Sequence, residues 1–271
     1  MEDLEVRLLL EGIYNQTGYN FLDYAKASLK RRIRHFLAAE GLETVSRLQD
    51  KVLHDPGCRE RFFLALSVQT TAMFRDPLFY LAIRREVVPL LKTYPFVRAW
   101  VAGCSTGEEA YSLAILLQEE DLTEKCLIYA TDFNEPVLKK AQSGIFPLPA
   151  MKEYTANYLQ AGGRDSFSSY YTAKYENAIL RADLKKMICF GQHNLVTDAS
   201  FNEFHLILCR NVMIYFNREL QNRVHRLLYD SLVTFGFLGL GDKESLALTP
   251  CADSYERLDP DRKLYRKINR G

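Results

Sequence analysis

Between residues 97 and 240 one pattern recurs: a short, nearly unbroken apolar run, a helical stretch, then another apolar run. The runs fall at 97–102, 127–131, 187–190, 205–209 and 237–240. Apolar on both alternating faces, they suit strands covered by helices on both sides of a parallel sheet, and so predict an open, doubly wound α/β domain. The preceding part obeys a different period. From Leu4 to about Ser67, apolar residues recur at helical spacing (Leu29, Ile33, Phe36, Leu37; then Val45, Leu48, Val52) among charged ones. Breaks come at Gly18, Gly41 and Asp55-Pro56-Gly57, where turn chemistry is concentrated. The chain therefore reads as a helical domain over 1–70, a connecting segment with one helix near 78–91 over 71–95, and an α/β domain over 96–271. Within the last, about 146–186 breaks the alternation with a Tyr- and Ser-rich stretch of weak β pattern, too long for a plain connection, and reads as an inserted subdomain.

Charge removes several function classes. Thirty-five basic residues nearly balance 34 acidic ones, for a net +1, so no whole-molecule field gathers nucleic acid or an anionic membrane. The acidic start and the lack of an apolar run near the ~18 residues of a membrane span predict a cytoplasmic protein without membrane insertion. Six scattered cysteines without a C-x-x-C pair, or a His at zinc spacing, read as reduced structural thiols, and no metal site is expected.

Chemistry concentrates where predicted strands end. The first runs into Gly103-Cys104-Ser105-Thr106-Gly107 and then a helix opening with Glu108 and Glu109. Small residues admit a ligand to the backbone, and the helix N-terminus offers N–H donors. The paired acids and the missing P-loop lysine disfavour a pyrophosphate. Acids there suit a cationic ligand such as S-adenosylmethionine, whose sulfonium and ammonium a carboxylate can meet; they also suit a plain strand–helix turn favoured by the helix dipole. The second strand ends in Asp132, the position from which doubly wound folds hold ribose hydroxyls. Asp132 as a helix cap is the alternative, although Asn134 is the better placed of the two. After the third strand, Asn194 and Leu195 suit an adenine edge and face, or a simple turn.

The stretches GCSTGEEAYS, ATDFNEPVL, HNL and LCRNVMIYF, in this order, resemble the CheR-type chemoreceptor glutamate methyltransferases, with TTAMFRDP upstream similar to their N-x-T-x-F-F-R segment. The resemblance spans almost the whole chain. It implies a Rossmann-like methyltransferase sheet, a small all-helical N-terminal domain and an inserted antiparallel β-subdomain. It further implies S-adenosylmethionine as cofactor, S-adenosylhomocysteine as product, and methyl esters formed on the glutamates of a chemoreceptor-like acidic helical bundle. By this likeness Gln69, Thr71, Arg75, Glu109, Asp132, Asn194, Leu195, Asn211 and Val212 join Gly103 as cofactor residues, and Arg75 and Tyr215 lie nearest the transferred methyl. The chain departs from the pattern at Gln69, Met73 and Ala110, and its GLGDKES replaces a Gly-His-Ser-Glu-like turn. Those departures keep open a binding module without turnover, and a methyltransferase for another substrate is a further alternative. Finally, LKRRIRHF places Arg31, Arg32 and Arg34 on the polar side of a helix, which serves either as a solvated face or as a dock for the acidic bundle.

Overall fold

The computed structural model describes residues 3–66, 71–247, 249–259 and 261–268. They divide into two compact units. The first comprises the N-terminal residues up to 69 together with Tyr215–Arg223; the second comprises Thr70–Ile214 and Val224–Gly271.

In the first unit four helices follow the expected periodicity: α1 (Asp3–Thr17), α2 (Lys26–Ala39), α3 (Val45–His54) and α4 (Pro56–Leu66). Each buries one stripe: Leu9 and Ile13 from α1, Leu29, Ile33, Phe36 and Leu37 from α2, Val45, Leu48 and Val52 from α3, and Phe62 and Leu66 from α4. Each such side chain contributes about 1.5–3 kcal/mol by leaving water. The Thr44 hydroxyl accepts the Arg47 N–H at 3.2 Å and so caps α3. Gly18 and Gly41 take left-handed backbone at φ 76° and 65°, as turns between helices require. Glu40 ties the helices together by accepting from Arg61 at 2.8 and 2.9 Å and from Lys51 at 2.7 Å, and these cations pull its carboxyl down to about 2. The late segment joins through backbone as well as rings: Ala25 N–H donates to the Tyr215 carbonyl at 2.8 Å, Asn217 N–H donates to that of Asp23 at 2.8 Å, and Tyr24 forms an antiparallel bridge with Phe216.

The second unit carries the sheet. Its strands in chain order are β1 (Val97–Ala102), β2 (Cys126–Asp132), β3 (Ile145–Pro147), β4 (Tyr171–Lys174), β5 (Asn177–Leu180), β6 (Ile188–Gln192), β7 (Phe204–Cys209), β8 (Leu232–Leu240), β9 (Tyr255–Asp259) and β10 (Leu264–Lys267). Seven of them form a sheet in the order β6-β2-β1-β7-β8-β10-β9, parallel from β6 to β8, with β10 and β9 adding antiparallel pairs. The five apolar runs are the five parallel strands, and every residue of β7 is buried, as strands covered on both faces must be. The interruption contains a small antiparallel sheet, β3-β5-β4, preceded in part by α9 (Met151–Gln160).

Strand order reverses at β1, whose neighbours are β2 and β7. Open α/β sheets receive ligands at such a switch, outside the carboxyl ends of the strands. The spacing predicts one helix near 78–91. The structure divides it into α5 (Pro77–Ala82), a π-helical turn at Ile83–Val87 and α6 (Val88–Leu91). Pro89 accounts for this, because it lacks the N–H that a continuous helix would use. Among the described residues, no helix is long and apolar enough to cross a membrane.

Candidate cofactor site

β1 delivers the chain at the switch into a left-handed glycine, Gly103 (φ 74°), followed by Ser105 (φ 49°) and Gly107 (φ 97°). The N–H groups of Gly103 and Cys104 both donate to the Thr131 carbonyl at 2.8 Å, which lashes the loop to the end of β2. Asp132 completes the lashing: Oδ2 accepts the Ser105 N–H and Oδ1 the Asn134 N–H, each at 3.0 Å. Burial pushes the Asp132 carboxyl upward, against the pull of the N–H groups of Asn134, Ser105 and Phe133. Helix α8 (Glu135–Ser143) follows, with Asn134 at its N-cap position but with no side-chain capping bond. Asp132 therefore organises the loop rather than capping the helix. Both of its oxygens accept backbone N–H groups, and the lone pairs that remain on the carboxylate can accept from a hydroxyl such as that of a ribose.

The two acids after the loop take separate environments. Glu108 is buried at the start of α7 (Glu108–Glu119), where it accepts the Thr106 hydroxyl at 2.6 Å, and burial raises its carboxyl. Glu109 faces a guanidinium, that of Arg210, the first residue after β7. Arg210 donates from Nη1 to Glu109 Oε1 at 2.7 Å and to the Arg75 carbonyl at 3.3 Å, and from Nη2 to Asp76 Oδ2 at 2.7 Å. Its Cζ lies 4.1 Å from the centroid of the Phe79 ring, a cation–π contact in a dry setting. Two flanking acids hold this buried cation firmly in its charged form against the opposing effect of burial. Arg75 sits in a turn between Phe74 and Asp76, both left-handed at φ 51° and 57°, and Ser112 Oγ accepts the Phe74 N–H at 2.8 Å. Arg210 thus fixes the backbone that carries Arg75 relative to Glu109.

Asn211, Val212 and Met213 follow Arg210, and Glu244 holds all three. Its Oε2 accepts the Asn211 N–H at 2.9 Å; its Oε1 accepts those of Val212 at 2.9 Å and Met213 at 2.7 Å. Gly241 N–H supplies a fourth donor at 2.7 Å to Oε2. The GDKES departure therefore preserves a Gly-x-x-Glu spacing with a definite task. Arg210 and Glu244 escape motif reasoning because their partners are remote in sequence; the signals that mark them are a charged residue directly after a buried strand and a glutamate three residues beyond a strand-end glycine.

The remaining expected residues fall as follows. Thr71 is half-buried at the entry to the Arg75 turn. Asn194 lies beyond β6, its Oδ1 accepting the Val196 N–H at 3.0 Å, with Leu195 half-buried beside it. Gln69 lies outside the described residues. Tyr215 belongs to the first unit, where the Arg32 guanidinium lies 4.3 Å from its ring centroid. Arg32 also donates to the Leu66 carbonyl and so turns inward, whereas Arg31 and Arg34 are exposed on α2.

Residues 4–67 match the all-alpha domain of the CheR methyltransferases, and residues 69–257 match their SAM-binding domain. The chain belongs to the CheR methyltransferase family. It is 49% identical to Cher3 of Pseudomonas putida over 265 residues, covering 98% of this chain and 97% of that one. A chemotaxis protein methyltransferase of Listeria innocua is 29% identical over 84% of this chain and 85% of its own length. An uncharacterised 104.1 kDa protein of Rhodobacter capsulatus is 27% identical over 93% of this chain but only 26% of its own length.

The cofactor of this CheR chain is S-adenosylmethionine, and the donor set suits it. Asp132 offers paired acceptors at the end of β2. Arg210 takes one oxygen of Glu109, which keeps acceptor capacity and charge for an ammonium. The loop at Gly103 is so closely backed by Val212 that a Cβ there would meet its Cγ2 at 2.5 Å, which puts Val212 directly against the glycine turn, with Asn211 next to it in the chain. Gly103, Glu109, Asp132, Asn211 and Val212 thus gather at one switch point. Held by such a set, the cofactor would supply an electrophilic methyl group.

Proposed function

We propose that this CheR protein forms methyl esters on glutamate side chains of a chemoreceptor-like acidic helical partner. The single observation that carries the reading is the Arg210 clamp, which ties the acid Glu109 to the backbone turn on which Arg75 stands. A guanidinium fork suits a carboxylate acceptor, which it can hold at two points. A glutamate acceptor needs no strong base, since with a reference pKa of about 4.3 it is already an oxyanion near neutral pH. What the protein must add is alignment and exclusion of water, and a turn fixed by a buried ion pair suits that need. Arg31 and Arg34, exposed together on α2, are assigned to the partner's acidic surface, and Arg32 supports them from within. The name of the Listeria innocua relative agrees with a chemotaxis role.

The test is incubation with methyl-labelled S-adenosylmethionine and a receptor signalling fragment, followed by alkaline treatment. Base-labile labelled methanol, with the modified residues mapping to glutamates, is the expected result. Cofactor binding without any labelled product would support a binding module instead, and base-stable label would indicate a different acceptor.

A further inference from the structure

We infer that Glu244 is a positioning residue for the cofactor site, setting the cleft at the β1–β7 switch point although it stands more than thirty residues after the loop it controls. This rests on the family's cofactor chemistry and is independent of which acceptor is methylated. Three successive backbone N–H groups, at Asn211, Val212 and Met213, converge on one carboxylate. Such a run of donors makes an anion-binding concavity, helped here by the left-handed turn at Asn211 (φ 61°). The concavity is filled from within the protein by Glu244, which is only 5% exposed.

Two features indicate that this contact is built for placement. The first is Gly241: a Cβ there would lie 2.8 Å from the Asn211 nitrogen and 2.8 Å from Glu244 Oε2, so only glycine lets the end of β8 approach the loop. The second lies across the loop, where Val212 packs on Gly103 so tightly that no side chain fits between them. Glu244 presses the loop from one side and Gly103 receives it on the other. Moving the carboxylate therefore moves Asn211 and Val212 against the glycine turn. Burial favours the neutral acid, whereas the four N–H donors favour the carboxylate; only the charged form accepts from all four.

Replacing Glu244 with Gln turns one oxygen into an amide NH₂ that faces N–H donors. Glu244→Gln should weaken S-adenosylhomocysteine binding at least tenfold by calorimetry, and raise KM for S-adenosylmethionine more than it lowers kcat. Gly241→Ala, which leaves every charge in place but crowds the same contact, should reproduce the loss. Leu246→Ala is the control: Leu246 is buried in the same segment, so this variant should lower Tm yet bind within twofold of wild type. Measurements are made well below each Tm. If Glu244→Gln is folded and binds within twofold of wild type while losing stability as Leu246→Ala does, Glu244 is merely structural and the inference falls. If Glu244→Gln does not fold, Gly241→Ala decides by the same criterion.

Discussion

Replacing Arg210 with methionine would keep a long side chain against Phe79 while removing a cation that Glu109 and Asp76 share. The cost follows from the burial of the two acids. The Arg210 side chain is 2% exposed, that of Glu109 13% and that of Asp76 36%. Breaking a buried pair by removing one partner costs about 3–5 kcal/mol, because the other charge is left dry. Asp76 can rehydrate, so its share falls toward the ~0–1 kcal/mol of a surface pair. Glu109 therefore dominates, and the expected loss is about 3 kcal/mol, near the lower bound for a buried pair. At the ~2–4 °C per kcal/mol typical of larger domains, Tm should fall by roughly 6–12 °C. Thermal and urea unfolding, followed by circular dichroism without cofactor so that binding does not mask the loss, measures it. Adding Glu109→Gln to Arg210→Met should restore more stability than adding Asp76→Asn. A loss under about 1 kcal/mol, or a larger rescue from Asp76→Asn, would refute the clamp as a buried charge device.

Other outcomes follow from the same geometry. Arg75→Ala should fold normally and lower single-turnover methyl transfer about a hundredfold, with Lys restoring part of it, since an ammonium lacks the two-point hold. In the wild type, the rate at saturating cofactor should rise with ionisation of the acceptor and level off above about pH 6; a bell-shaped profile would require a general acid or base. Charge reversal at Arg31 and Arg34 together should raise KM for a receptor fragment and flatten its salt dependence while leaving S-adenosylhomocysteine affinity unchanged. His225 is buried and neutral, its pKa pushed down to about 4 by burial. The unfolded chain then binds a proton that the folded one refuses, so stability declines as pH falls from about 6.5 to about 4, by about 3 kcal/mol in all, and levels off below. His225→Phe should flatten that limb in urea unfolding curves measured across pH; an unchanged slope would assign it to other groups.

What could be read from the sequence was local. Gly103, Asp132 and the paired acids Glu108 and Glu109 stand at the junctions of a strand, a tight loop and a helix, where spacing points to them; only the family resemblance singles out Glu109. The five parallel strands announced themselves by unbroken apolar runs. The last two, β9 and β10, did not: YERLD and LYRK mix charge with apolar residues, as antiparallel strands near a sheet edge do. Arg210 escaped for another reason. Its partners Glu109 and Asp76 lie 101 and 134 residues away, a pairing that only the folded sheet creates. Glu244 was visible solely as a departure from a familiar turn, and its four backbone partners explain why the glycine–glutamate spacing survives while the residues between them change. On α2, helical periodicity separated the apolar face from the basic one, but not Arg31 and Arg34, which face solvent, from Arg32, which Tyr215 and the Leu66 carbonyl draw inward.

The late segment Tyr215–Arg223 gives the chain an unusual schedule during synthesis. The helices of the first unit leave the ribosome early, but the strand-like partner of Tyr24 and Ala25, and the aromatic ring beneath Arg32, are encoded roughly 150 residues later. At ~5–20 residues per second, that leaves an interval of roughly 7–30 seconds in which the helical unit exists without its last piece. The helical unit is thus finished only after most of the second unit has been made. A pause in translation, or a nascent chain arrested before residue 215, would present Tyr24 and the Arg32 face to chaperones rather than to their own partners.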